Sequence, residues 1–376
     1  MAMKEITQAV QANEGRLLAR LRELVEIESP SEDKAAVDMA GKRVETWIKA
    51  PFFKLIRHKN AHYGDVLEFK SHPRSKRGRV LLLGHLDTVW PLGTLAKMHW
   101  RKADGKIYGP GVLDMKAGVV MAIEAVEALQ SLGLDRPVTL LLNSEEEVGS
   151  PISRPITEKI ARTCEAVFVL EPAQGLAYKT ARKGIGHYNL DVRGIASHAG
   201  VDFQTGHSAV LEMAKLVQQV SDFTDLQRGL TVNAGVITGG TRSNVVAAEC
   251  HAEIDVRIAK ASDATRVERL FRTLKITDKA CKLTISGGMN RPPMERKSGT
   301  IALFRQAQKL AAEMGFQLEE AATGGGSDGN FTAALGIPTL DGMGAIGAGA
   351  HADHEHIVTK YLVERTALLA GMIATI

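Results

Sequence analysis

Apolar residues recur at helical spacing over residues 14–27, where Leu17, Leu18, Leu21, Leu24 and Val25 form one stripe. The pattern predicts a helix there and a second over 33–49. RVLLL (79–83) is apolar throughout and reads as a buried strand ending at GHLDTV. Behind GPGVLDMKAG (109–118) a further helix is predicted, with Val119, Val120, Ile123, Val126 and Leu129 on one face. The apolar run VTLLL (138–142) then leads straight into Glu145, Glu146 and Glu147, and AVFVLEP (166–172) also ends at a carboxylate. Strand and helix in alternation predict an α/β sheet of mostly parallel strands flanked by helices.

From about Lys183 the rhythm changes. GHYNLDVRG alternates like a half-exposed strand, and residues 207–223 carry an amphipathic helical pattern. LTVNAGVITGG and AECHAEIDVRIA read as consecutive strands, followed by a helix over 263–274 and the strand CKLTISG. The order βαββαβ fits a small ferredoxin-like α+β sandwich. Helical spacing resumes at 300–314 and gives way to the glycine-rich TGGGSDG and GAIGAGAHADHEH. The simplest organisation is an α/β catalytic domain of residues 1–182 and 291–376, interrupted by an inserted α+β domain of residues 183–290.

Bulk properties narrow the classes. The chain has 376 residues, 44% hydrophobic and 24% charged, as a globular protein of two or three domains would. A net charge of +4 over that length points to no nucleic-acid or membrane partner. The densest basic run, HPRSKRGR (72–79), precedes a strand and reads as a solvated loop. MAMKEITQAV lacks the apolar core of a secretory signal, and no apolar run approaches the roughly 20 residues of a membrane span. Cys164, Cys250 and Cys281 have neither zinc spacing nor an even count. Together these predict a cytoplasmic protein.

Metal-competent side chains stand at the ends of the predicted strands and helix starts. His85 and Asp87 follow RVLLLG, Asp114 lies in GPGVLDMKAG, Glu146 and Glu147 follow TLLLNSE, Glu171 follows VFVL, and His351 lies in GAHADHE. Strand C-termini of a parallel sheet gather along one edge, where ligands bind. Two imidazoles and three carboxylates suit Zn²⁺, and also Co²⁺ or Mn²⁺. Singly, each has a plainer explanation: His85 as a core histidine, Asp114 as an N-cap, Glu145 to Glu147 as a solvated loop, Glu171 as a strand end. Those explanations leave unexplained why every strand end carries a ligand type.

GHLDTVWPLG (84–93), YGPGVLDMKAG (108–118), NSEEEVGS (143–150), VLEP (169–172), GIASHAG (194–200), TGGGSD (323–328) and GAHADHE (349–355) resemble, in order, the motifs of the M20 metallopeptidases. Within that family the resemblance is to the glutamate carboxypeptidase branch, and it spans nearly the whole chain. It implies two divalent ions bridged by Asp114, one also held by His85 and Glu171, the other by Glu147 and His351. Asp87 resembles the carboxylate that orients its neighbours, and Glu146 the general base that takes a proton from water and hands it to the leaving amine. Glu145 stands where the family commonly has Asp. His198 matches a residue that stabilises the oxyanion, often across a dimer interface, which implies a homodimer and an inserted domain that serves as lid and dimerisation unit. Arg257 and Arg291 match positions that pair with a substrate carboxylate, and Asn244 matches a substrate-contacting asparagine. Glu171 rather than Asp is similar to carboxypeptidases and N-acyl amino acid hydrolases. The implied reaction is release of a C-terminal amino acid, glutamate first, from a small N-acyl or short peptidyl substrate. His354 and His356 stand where relatives carry other residues.

Rival readings remain. Residues 325–329 satisfy G-x-S-x-G around Ser327, but QLEEAAT ahead of it is a poor strand for a nucleophile elbow. Gly109-Pro110-Gly111 opens like a dinucleotide loop, yet Asp114 would repel a pyrophosphate. A metal-free binding protein would have no use for Glu146.

Overall fold

A computed structural model describes residues 3–48, 52–72, 74–75 and 78–376. Lys49, at the end of the second expected helix, and Pro73, Lys76 and Arg77 of the basic run lie outside them. The chain forms two compact units: Met1–Ala181 with Arg296–Thr323 and Ser327–Ile376, and Arg182–Glu295 with Gly324–Gly326. Among the described residues no helix is long and apolar enough to cross a membrane.

The first unit is an α/β layer structure around a six-stranded sheet. Val80–His85 lies in its middle, buried at every position, and runs parallel to Val138–Asn143 on one side and Ala166–Val169 on the other. Continuous apolar runs suit strands covered on both faces. Thr339–Leu340 continues the parallel part beyond Ala166–Val169. On the other side the sheet turns antiparallel, through Val66–Ser71 and the edge strand Phe53–His58. That hairpin has no counterpart in the sequence reading. The helix Ala117–Ser131 is apolar almost all round and packs against Glu14–Val25 and Leu362–Thr375. The expected helix over 33–49 is Lys34–Trp47, with Asp33 accepting from the Ala36 amide at 3.0 Å as its N-cap.

Two small sheets complete this unit. Gly347–Ala348, His356–Val358, Lys106–Tyr108 and Arg101–Ala103 form an antiparallel set. Glu319–Thr323 pairs with Ala177–Arg182, so the segment judged a poor strand from its composition is one. Pairing supplies what EEAAT lacks in intrinsic preference.

The second unit is a four-stranded antiparallel sheet in the order Thr231–Gly239, Glu249–Ile258, Gly184–Arg193, Lys282–Arg291. With helices Ala209–Ser221 and Ser262–Arg272 between strands, this is the ferredoxin-like βαββαβ arrangement. Leu190, Leu216, Ile254, Val256 and Phe271 form its core, and Tyr188 stacks on Phe271 with ring centroids 3.8 Å apart. The alternate positions Asn189, Asp191, His251 and Glu253 line the other face.

Candidate metal centre

Strand register brings the first ligands together. His85 lies opposite Asn143, and Leu83 opposite Val169, so the three strands end side by side. Glu146 and Glu147 leave the sheet in a short 3-10 turn three residues past Asn143, and Glu171 follows two residues past Val169. Asp114 arrives from Val112–Lys116, a wide turn ahead of the Ala117–Ser131 helix. It is not that helix's N-cap: Lys116 holds the position, with no side-chain capping bond.

His85 Nε2 lies 3.4 Å from Asp114 Oδ1 and 3.6 Å from Glu171 Oε1. On the other side of the same aspartate, His351 Nε2 lies 3.4 Å from Asp114 Oδ2 and 3.2 Å from Glu147 Oε2. Ligand atoms of His85, Glu146 and Glu171 also lie within 4.8 Å of one another. The five expected ligands and the expected base therefore gather in the first unit. His85 Nε2, Asp114 Oδ1 and Glu147 Oε1 are buried with no hydrogen-bond partner. Buried polar atoms are costly to leave unsatisfied, so three converging on one place suit a cation held between them.

Protonation follows the same field. Burial opposes charge on His85, but the Asp114, Asp87 and Glu171 carboxylates outweigh it and raise the imidazole well above its usual value. His351 is pushed up to about 10 by Asp114 and Glu147. Glu147 is raised to about 7, chiefly by burial. Asp114 is lowered: burial opposes this, but His351 and His85 prevail. The cluster attracts positive charge.

Further carboxylates hold these groups in place. Asp87 is fully buried; it accepts from Ser31 Oγ at 2.7 Å and from the Glu146 and Glu147 amides at 3.2 and 3.1 Å. Its backbone carbonyl lies 3.0 Å from His85 Nδ1, which leaves Nε2 for a ligand role. Glu145 is buried too and accepts from Ser144 Oγ and from the Ile152 and Ser153 amides at 3.1 and 2.6 Å, at the start of Ser153–Ala161. The triple glutamate is thus no solvated loop. Its members divide between a helix entry and the cluster. Asp328 accepts from Ser150 Oγ and Asn143 Nδ2, both at 2.5 Å, at the two ends of the glutamate loop. Glu355 is fully buried against the Asp114 turn. The sequence pattern does not single out Ser31, Asp328 or Glu355, which support the cluster; the one local signal is that Asp328 and Glu355 lie inside TGGGSD and GAHADHE.

The remaining expected residues lie elsewhere. In the second unit His198 is exposed and accepts from the Gly200 amide at 3.1 Å through Nδ1. Asn244, also exposed, is beside it: its backbone carbonyl accepts from the Ala199 amide at 2.9 Å. Arg257 is paired with Asp255 at 2.8 Å and donates to the Gly324 carbonyl at 3.3 Å. Arg291 is buried in the same unit, close to Gly326. In the first unit, Ser327 is buried and donates to Asp341 at 2.6 Å. His354 is exposed, and His356 packs on the Tyr108 ring with centroids 5.2 Å apart.

Residues 81–375 match the model of the peptidase family M20/M25/M40. The chain belongs to this family. Carboxypeptidase G2 from Pseudomonas sp. (strain RS-16) is 29% identical over 97% of this chain and 90% of its own length. Acetylornithine deacetylase from Myxococcus xanthus is 26% identical over 69% of this chain and 71% of its own. The crystal structure of aminopeptidase PepT from Bacillus cereus ATCC 10987 shares the fold, with a TM-score of 0.80, 21% identity, and coverage of 96% of this chain and 98% of that one. This M20 protein is accordingly a metallopeptidase or amidohydrolase, an enzyme of peptide or amide bonds. Family members are metal-dependent, and the cluster at Asp114 is the candidate site.

Proposed function

We propose that this M20 enzyme uses two divalent ions to release a C-terminal amino acid, glutamate foremost, from an N-acyl or short peptidyl substrate. The observation that carries the reading is the sharing of Asp114, one oxygen facing His85 and the other facing His351. His85 and Glu171 would hold one ion and Glu147 and His351 the other, with Asp114 between. Zn²⁺ suits this donor set best, with Co²⁺ or Mn²⁺ as substitutes. When bound, such ions make water more acidic and polarise a carbonyl.

The chain's own groups supply the rest. Glu146 takes a proton from the attacking water and returns it to the leaving amine. Asp87 keeps Glu146 in reach by holding its amide and that of Glu147. His198 donates to the oxyanion of the tetrahedral intermediate. Arg257 and Arg291 bind the substrate's carboxylate, to which a guanidinium offers a matching fork, and Asn244 adds a polar contact. The second unit serves as lid and dimerisation domain of a homodimer. Three unpaired cysteines fit a reducing cytoplasm. Ser327 is no rival nucleophile: its hydroxyl is engaged by Asp341, not by a histidine base.

The test is amino-acid release from N-acyl amino acids and dipeptides, Glu-terminated first, each beside its C-terminal amide. Release that chelation abolishes, Zn²⁺ restores and amidation suppresses is expected. Chelator-resistant release blocked by a serine-directed reagent would overturn the reading. Preferential cleavage of small N-acetyl amino acids lacking Glu would move the specificity towards a deacylase.

A further inference from the structure

Three backbone amides of the Asp114 turn point at one carboxylate far along the chain. Glu355 Oε1 accepts from Leu113 N at 2.8 Å and Asp114 N at 3.0 Å; Oε2 accepts from Gly111 N at 2.9 Å and from the Trp90 indole at 2.8 Å. Each oxygen thus carries two donors. Convergent amides of this kind form an anion-binding concavity, filled here by a side chain of the protein itself. The turn needs such a partner. Asp114, at φ −114° and ψ 94°, and Met115 leave helical angles inside Val112–Lys116, so the amides here lack a regular helical ladder. Gly111, at φ 69°, adopts the left-handed backbone that turns its amide inward.

The loop that brings Glu355 also brings His351. Both lie between the paired strands Gly347–Ala348 and His356–Val358. His351 itself sits at φ 63°, an uncommon backbone for a histidine, and places Nε2 3.4 Å from Asp114 Oδ2. Glu355 therefore ties two segments whose separation decides whether Asp114 and His351 can share an ion. His85 and Glu171 do not depend on that tie, because strand register in the central sheet sets them.

We propose that Glu355 is a positioning residue for the ion site of Glu147 and His351, fixing Asp114 against His351 without touching ion or substrate. This rests on the dinuclear reading above. A merely structural role would loosen the fold and weaken both sites alike.

The full-length chain, stripped of ions, is titrated with Zn²⁺ and with Co²⁺ by calorimetry and visible absorption, with His351→Ala marking which equivalent belongs to His351. Glu355→Gln keeps size but presents N–H where two of the four donors need an acceptor. The expected result is a 10- to 100-fold weaker His351 equivalent, on the order seen when a ligand's supporting group is lost, with the other within about threefold and an altered Co²⁺ spectrum only for the former. Unfolding in chelator should stay a single transition. Two equivalents bound as in the unaltered chain, or both weakened equally, overturn the proposal. Should Glu355→Gln fail to fold, Trp90→Phe removes one donor and should weaken the same equivalent about threefold; no change would overturn it. An unaltered chain that takes up no ions removes the dinuclear reading, and this proposal with it. Two ions bound equally well with and without Glu355 remove this proposal alone.

Discussion

Most of the candidate ligands and most of the motif residues of the second unit are held in opposite ways, half-exposed His351 and buried Arg291 being the exceptions. His85, Asp114, Glu147 and Glu171 have side chains 1–15% exposed, and each stands at a strand end or a pinned turn. His198 and Asn244 lie in solvent, and Arg257 is engaged by a neighbour two residues away. Groups that must concentrate charge at a fixed point need support that does not relax, since relaxation would weaken the field. Groups that meet a substrate gain from staying hydrated until it arrives, when their donors are exchanged for its oxygens. On the proposed function, the contrast is between a preformed centre and recognition elements completed on binding.

The most severe way to break the contrast is Asp114→Asn, which removes the shared carboxylate. Hydrolysis should fall by about 10³-fold or more and ion uptake should drop below two equivalents. Metal analysis beside a rate assay checks it, and two tightly held ions would sink the shared-ligand idea. Glu146→Gln should cost about 10²- to 10⁴-fold in kcat while ion uptake persists, because it removes the proton carrier and no ligand. Arg257→Ala should raise KM by roughly 10-fold for a substrate with a free carboxylate and leave the C-terminal amide unaffected. An equal effect on both would remove Arg257 from recognition.

Smaller still is the pH effect. His85 and His351 are raised in the folded chain, His351 to about 10, so the stability they give the ion-free protein is full below an ordinary histidine value and fades as pH rises through the raised one. An entering cation must displace those protons. Calorimetry in buffers of different ionisation enthalpy should therefore show proton release on Zn²⁺ uptake near neutral pH, and uptake should tighten as pH rises. Uptake independent of pH would mean the imidazoles are not ligands. Ser327→Ala should do least. It removes a buried hydroxyl bonded to Asp341, about 1 kcal/mol in stability, with turnover within about twofold.

Much of the architecture was legible because its signals are local. RVLLL, VTLLL and AVFV are unbroken apolar runs, and the alternation in GHYNLDVRG and AECHAEIDVRIA separates the second unit's sheet from the first's. The hairpin of Phe53–His58 and Val66–Ser71 was not legible. Glu68 is buried among Val66, Leu67 and Phe69 and pairs with His58 at 3.1 Å across the hairpin, so the run neither alternates nor stays apolar. At the centre, the ligand types could be read from strand ends, but the roles of Ser31 and Glu355 depend on bonds spanning 56 and 241 residues or more. Nor does a local pattern reveal that Glu145 faces the amides of Ile152 and Ser153.

The discontinuity of the first unit has a consequence during synthesis. The second unit is contiguous apart from Gly324–Gly326, so its sheet can close while the chain is still being made. The centre has no such freedom. His85, Asp114, Glu147 and Glu171 emerge long before His351, and the helix Leu362–Thr375 that covers Ala117–Ser131 comes later still. A nascent chain thus carries most of a chelating cluster with its closing histidine and its covering helix absent. The candidate cluster is complete only once His351 has been made.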